Sequence, residues 1–269
     1  MNDKYPFFEL EKNPENKTAI LYFNRPEKLN AMNWPFWRDF PDIIRETEKD
    51  NDIVAVVIAG RGKSFSVGLD VMELFTNHAE AINASTAEAR EKLHELILKM
   101  QEGFRLVAGG NKIYIAAIHN HCIGAGLDVA VACDLRLATT DAVFSVRETK
   151  IGIVADMGSL NRLPLIVGQG NARFLAYTGK NIKADQAYRI GLINELYDSH
   201  DLLMIGASQL AHEIASNSMS AVRGTKKILN YMESHSPEEG LNYVAAWNAA
   251  FLNIKEIEKA MATAAEKKK

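Results

Sequence analysis

Two short, almost wholly apolar runs set the strongest limit on what this chain can fold into. They are Ile53–Ala59 (I-V-A-V-V-I-A) and Ile113–Ile118 (I-Y-I-A-A-I). A strand with one wet face alternates apolar and polar residues; these runs do not, so each reads as a strand covered on both faces. Helical spacing lies around them. Trp34, Trp37, Phe40, Ile43 and Ile44 form one stripe, with Asn33 as its cap and Pro35 in its first turn. Leu93, Leu96, Ile97, Met100 and Phe104 form another, inside a polar, helix-prone stretch over 71–108 that ends at Gly109-Gly110-Asn111. Two-sided strands separated by helices predict an α/β core. Residues 5–24 read as a hairpin turning at Asn13-Pro14-Glu15-Asn16.

Composition narrows the class. A chain of 269 residues, 47% hydrophobic, can bury a sizeable core. A net charge of -3 gives no electrostatic reason to expect nucleic acid. Cys122 and Cys133 both sit among apolar residues and read as buried thiols in a reducing compartment. No apolar run reaches the roughly 18 residues that a membrane span needs. The first ten residues carry no signal-peptide core, and the tail is not S-K-L, so a cytoplasmic location is expected.

The chemistry concentrates between Ala116 and Leu163. The apolar run ends in a small-residue turn, Gly124-Ala125-Gly126, followed by Leu127 to Cys133, which reads as a buried helix. Such a turn leaves N–H groups free at a helix start, where they can hold developing negative charge. Three carboxylates follow: Asp128, Glu148 twenty residues on, and Asp156 eight further. Asp128, in G-L-D-V-A-V-A, and Asp156, in G-I-V-A-D-M-G, lie among apolar or small residues. Acids there are costly unless paired, hydrogen-bonded or protonated, which makes them candidates for acid–base work. The structural alternatives are a helix cap near Gly126 for Asp128, a strand-end surface charge for Glu148, and a turn residue for Asp156.

This segment resembles the crotonase, or enoyl-CoA hydratase/isomerase, superfamily. The likeness runs from N-R-P-E-K-L-N-A-M (Asn24 to Met32) to Y-V-A-A-W-N (Tyr243 to Asn248). Within it, the Asp–Glu–Asp set is similar to that of the Δ3,5-Δ2,4-dienoyl-CoA isomerases, where hydratases usually carry Glu for Asp128 and Gly for Asp156. The resemblance implies a spiral of repeated ββα units over 1–201 and a helical trimerisation region over 202–269. It implies catalysis by Glu148, Asp156 and Asp128 on an acyl-CoA thioester, as a homotrimer or a dimer of trimers. The coenzyme A is part of the substrate, and no further cofactor or metal is implied. The loop Gly60 to Asp70 resembles F-s-a-G-x-D, so the Leu69 N–H is expected to form half of an oxyanion hole and the Ala125 N–H the other half. Many relatives have Gly where Ala125 stands, so a positive φ there would carry a steric penalty. Arg25, Lys28, Ser66, Val67, Gly68, Asp70 and Gly124 are expected at the substrate and its CoA moiety. Asp134 and Arg136, in C-D-L-R, are expected to make structural hydrogen bonds, and His121 to add bulk near the turn.

Other readings fail on spacing or stay open. Gly124-x-Gly126 has Val129 where a dinucleotide fingerprint needs Gly, and no G-x-S-x-G elbow is present. His119-x-His121 lacks acidic or thiol partners at ligand spacing, so packed histidines are expected instead of metal. Lys226-Lys227 and the 267–269 lysines read as solvated faces. An enoyl-CoA hydratase, a thioester hydrolase, and a non-catalytic or RNA-binding relative remain the rival functions.

Overall fold

The computed structural model describes residues 4–77, 85–258 and 261; the 267–269 lysines lie outside them. Its strands are β1 (Phe8–Asn13), β2 (Thr18–Phe23), β3 (Ala55–Gly60), β4 (Ile113–Ile118), β5 (His121–Ile123), β6 (Leu135–Thr139), β7 (Val143–Ser145), β8 (Ile182–Lys183) and β9 (Glu195–Tyr197). Its helices are α1 (Trp34–Lys49), α2 (Val71–Asn77), α3 (Ala87–Met100), α4 (Glu102–Gly109) and α5 (Ala125–Ala132). They continue with α6 (Ser159–Thr178), α7 (Ala184–Arg189), α8 (His200–Ser216), α9 (Met219–Met232) and α10 (Pro237–Phe251). One sheet runs in the order β1-β2-β3-β4-β6-β9, the other β5-β7-β8. The β1–β2 pair is the antiparallel hairpin read from the sequence, and β2 to β9 pair in parallel across the first sheet.

The two apolar runs behave as expected, and the reason is visible residue by residue. Val56 and Ile58 of β3 and Tyr114, Ala116 and Ile118 of β4 enter the main core, which also holds α1, α4 and α5 side chains. The alternate residues, Ala55, Val57 and Ala59 with Ile113, Ile115 and Ala117, enter a second core under Leu203, Ala207 and Ala211 of α8. Both faces are dry, so alternation has no work to do. The boundary expected at 201/202 falls inside α8, which covers the sheet, and Val222 of α9 packs against the same core.

A lysine expected to be solvated fixes α9. Lys226 is buried, with Nζ donating to Val107 O at 3.0 Å, Lys112 O at 2.9 Å and Asp134 Oδ2 at 2.8 Å. Asp134 also accepts from Tyr114 N at 2.8 Å, while Arg136 donates to Leu192 O and Cys133 O. The C-D-L-R pair is structural, as expected. Cys122 and Cys133 are buried free thiols. No helix of the described residues is long and apolar enough to cross a membrane.

Candidate active site

The site lies beyond the C-terminal ends of β3 and β4, where parallel sheets leave room for ligands. The chain leaving β3 forms the loop that carries Leu69. Ser66 N donates to His121 O at 2.9 Å and Ile123 N to Ser66 O at 3.1 Å, which stitches this loop to β5. Met32 N donates to Gly68 O at 2.7 Å and Asp70 N to Met32 O at 3.0 Å, which clamps it on the other side. Leu69 N–H lies between these bonds, and Ala125 N–H opens α5 behind Gly124. Among the described residues, neither donates to a protein acceptor, while the Gly68, Asp70 and Gly124 N–H groups do.

The two loops touch at Gly68. With φ at 84°, a Cβ there would lie 2.5 Å from Ile123 O and 3.1 Å from Ala125 N, so only glycine lets them approach. Gly124 supplies the left-handed turn, with φ at 54°, and a Cβ on it would meet Glu148 Oε1 at 3.2 Å. Ala125 is not among the residues with positive φ; it is the first residue of α5 and pays no steric penalty.

Asn30 and Ser66 brace this cradle from beneath. Asn30 sits in the left-handed region, φ 54°, fully buried. Its Nδ2 donates to Arg61 O at 2.9 Å and Ser64 O at 2.8 Å, and its Oδ1 accepts from Arg25 N at 2.9 Å. Ser66 Oγ donates to Asn30 O at 2.8 Å and accepts from Gly68 N at 3.0 Å. Ser66 is fully buried and its hydroxyl is committed at both ends. Arg25 and Asp70 pair with each other and stay partly exposed. Arg25 Nη1 donates to Asp70 Oδ2 at 2.7 Å and to Ala31 O at 2.9 Å, and Asp70 Oδ1 accepts from Glu73 N in the first turn of α2. Lys28 is exposed and makes no ion pair among the described residues. Val67 is half-buried, its N–H donating to Leu29 O at 3.2 Å.

The three acids come from three elements. Asp128 lies in the first turn of α5, fully buried, and its Oδ1 accepts from Ser159 N at 2.7 Å and from the Ser159 hydroxyl. It does cap a helix, but α6 instead of its own. Burial, and then the charge of Glu148, push its carboxyl up to about 7, against the pull of the Ser159 bonds. Glu148 opens a 3-10 turn after β7, and its Oε2 is buried with no hydrogen-bond partner, which excludes the surface-charge reading. Burial raises its pKa, with Asp156 adding to the rise. Asp156 lies in an irregular segment between Gly152 and Gly158, and burial raises its pKa too. The mutual influence of these carboxyls makes them one titrating cluster.

His119 Nε2 lies 3.0 Å from Gly62 O, and His121 Nδ1 lies 3.1 Å from Ser64 Oγ. His121 therefore turns to the Ser64 hydroxyl. No group of three metal-ligating side chains occurs among the described residues. A separate cleft of about 960 Å³, lined in part by Arg136, Arg162, Lys226 and Glu233, contains none of the three acids.

The family model described as enoyl-CoA hydratase/isomerase matches residues 14–269. The chain belongs to that family. Its relatives include the mitochondrial Delta(3,5)-Delta(2,4)-dienoyl-CoA isomerase of Rattus norvegicus, 39% identical over 249 residues, which cover 92% of this chain and 76% of the relative. The short-chain-enoyl-CoA hydratase of Clostridium acetobutylicum is 37% identical over 222 residues, covering 82% and 80%. A crystal structure described as an enoyl-CoA hydratase from Streptomyces coelicolor superposes with a TM-score of 0.88 at 28% identity, covering 99% of this chain and 94% of that one. The family is one of enzymes, and the α/β fold with a helical C-terminal region matches its solved members.

Asn30 and Ser159 were not singled out in the sequence. Ser159 stands three residues after Asp156 at the start of an apolar helical run, a position where a helix start can be sought. Asn30 sits in the quoted N-A-M motif, but nothing in its spacing tells that its side chain carries three bonds.

Proposed function

We propose that the protein isomerises 3,5-dienoyl-CoA to 2,4-dienoyl-CoA. The C2–H bond of the thioester breaks, its electron pair enters an extended dienolate, and a C6–H bond forms. No oxidant or reductant is needed. Leu69 and Ala125 N–H groups hold the enolate oxygen; losing one such donor typically costs about 3–4 kcal/mol. Glu148 takes the proton from C2, and Asp156 delivers one to C6. Asp128, held by Ser159, touches neither carbon. Its part is to set the charge felt by the other two. Lys28 meets a phosphate of the CoA moiety, and the substrate's own CoA is the only carrier involved. The working form is a homotrimer or a pair of trimers, in the cytoplasm.

The observation that carries this reading is the second unpaired acid. One base and one oxyanion hole suffice to exchange a C2 proton. Moving it to C6 needs another carboxyl with a raised pKa, and Asp156 is such a group. The 39% identity to a dienoyl-CoA isomerase supports the same reaction. The second reading, addition of water to a 2-enoyl-CoA, is favoured by the 37% identity to a hydratase. Paired assays separate them by ultraviolet absorbance. Growth of conjugated 2,4-dienoyl absorbance with little hydration is expected, and Asp156→Asn should lower that growth by about 10³-fold. Fast loss of enoyl absorbance without diene isomerisation would overturn the proposal in favour of the hydratase.

A further inference from the structure

Gln101 stands at the junction of α3 and α4, and its side chain reaches the one acid-bearing segment that lacks regular structure. Gly152 and Gly158 bound that segment, with φ at 76° and 119°. Inside it, Ile153 N donates to Glu148 O at 3.0 Å, and Gln101 Nε2 donates to Asp156 O at 2.7 Å. Beyond it, Ser159 is tied to Asp128. Among the described residues no other residue's donor holds the Asp156 carboxylate; only its own backbone N–H faces it. The direction of that carboxylate is therefore set by where its main chain is held: by Ala155 and Met157, buried in the main core on either side, and by Gln101 at the carbonyl between them.

Gln101 is built as a strut for that purpose. Its own N–H donates to Ile97 O at 3.0 Å, and its carbonyl accepts from Arg105 N at 3.1 Å, so two helices fix its backbone. Arg105 Nη1 lies 3.5 Å from Gln101 Oε1 and Arg105 Nη2 donates to Leu98 O at 3.0 Å. A guanidinium has no acceptor, so it takes the oxygen end of the amide and leaves the NH₂ end for Asp156 O. We propose that Gln101 is a positioning residue for Asp156. It sets the reach of that carboxyl toward the substrate without touching substrate itself. A change along α3 that shifts its last turn moves Asp156 with it.

This inference rests on the dienoyl-CoA isomerase reading, and the test keeps the two apart. The full-length protein is incubated with 3,5-dienoyl-CoA in D₂O. Two rates are followed: formation of the 2,4-diene, and deuterium entry at C2 of recovered substrate. The variants are Gln101→Ala, Gln101→Glu and, as reference, Asp156→Asn. Gln101→Glu keeps the size and the Arg105 contact but offers no donor to the Asp156 carbonyl. Both Gln101 variants should form product about ten-fold more slowly, since small displacements of a reacting group cost this much or more. C2 exchange should hold at the wild-type rate, so the ratio of exchange to product rises, as a milder form of the Asp156→Asn pattern. Equal loss of both rates would mean general damage and would overturn the proposal. So would wild-type product formation by Gln101→Glu. A wild-type protein that forms no diene would overturn the isomerase reading itself, before any substitution is compared.

Discussion

The two halves of the site are held in opposite ways. The cradle of Leu69 and Ala125 is bound from several sides: β5 on one, Met32 on another, the Asn30–Ser66 brace beneath, and the contact at Gly68 between them. The segment from Gly152 to Gly158 has neither helix nor strand; Ala155 and Met157 anchor it in the main core, and the Gln101 amide holds the Asp156 carbonyl between them. The difference matches the chemistry proposed for each. An oxyanion hole works by donors fixed in advance at about 2.7–3.1 Å from one oxygen, whatever the acyl chain. A proton donor at the far end of a diene must meet a carbon whose position depends on the geometry of the double bonds between it and C2.

Substitutions can break this comparison, beginning with the largest effect. Gly68→Ala places a Cβ against Ile123 O and Ala125 N, so it parts the two loops. It should slow every enolising reaction by about 10²–10³-fold, C2 deuterium exchange included. If exchange survives, the cradle does not need Gly68. Ser66→Ala removes one hydroxyl but leaves the backbone stitches, so the loss should be smaller, about ten-fold in kcat with KM little changed. It leaves Asn30 O and Gly68 N short of a partner, and a fall of about 1–3 kcal/mol in a denaturant titration is expected beside it. A Ser66→Ala protein with unchanged kcat would show that the cradle is stiff without its brace.

The smallest effect sharpens the acid half. The Asp128 carboxyl is held at about 7, above its ordinary value of 3.8. A raised acid favours the fold while protonated, so its contribution is whole below about pH 4 and is lost as the pH climbs toward 7. Asp128→Asn keeps an oxygen for Ser159 and cannot ionise. It should narrow the difference in urea midpoint between pH 5 and pH 8, leaving the part due to Glu148 and Asp156. An unchanged difference would mean that Asp128 ionises freely inside the protein.

Much of this was legible in the sequence, for reasons that differ by region. β3 and β4 were readable because both of their faces are dry, so the pattern needs no knowledge of what covers them. The acids stood out because Asp128 and Asp156 are conspicuous in apolar runs. Lys226 was misread because a lysine on an amphipathic helix looks solvated until three oxygens from distant elements close around it. Arg25, Asp70 and Ser66 show the same gap between local pattern and fold. Their neighbours in the chain suggest a ligand, while their bonding partners lie within the protein. Gln101 carries no local signal, since its bond to Asp156 spans 55 residues.

The two-sided sheet carries a consequence for how such a chain can change over generations. In β3, residues 55, 57 and 59 answer to α8, while 56 and 58 answer to the core shared with α1, α4 and α5. Variants under α8 can be matched within that second core, which Leu203, Ala207 and Ala211 share with Tyr22 and Leu137. Such changes need not reach the face that holds Val56 and Ile58. An inserted residue in either strand has no such freedom, because it would exchange the two sets at once.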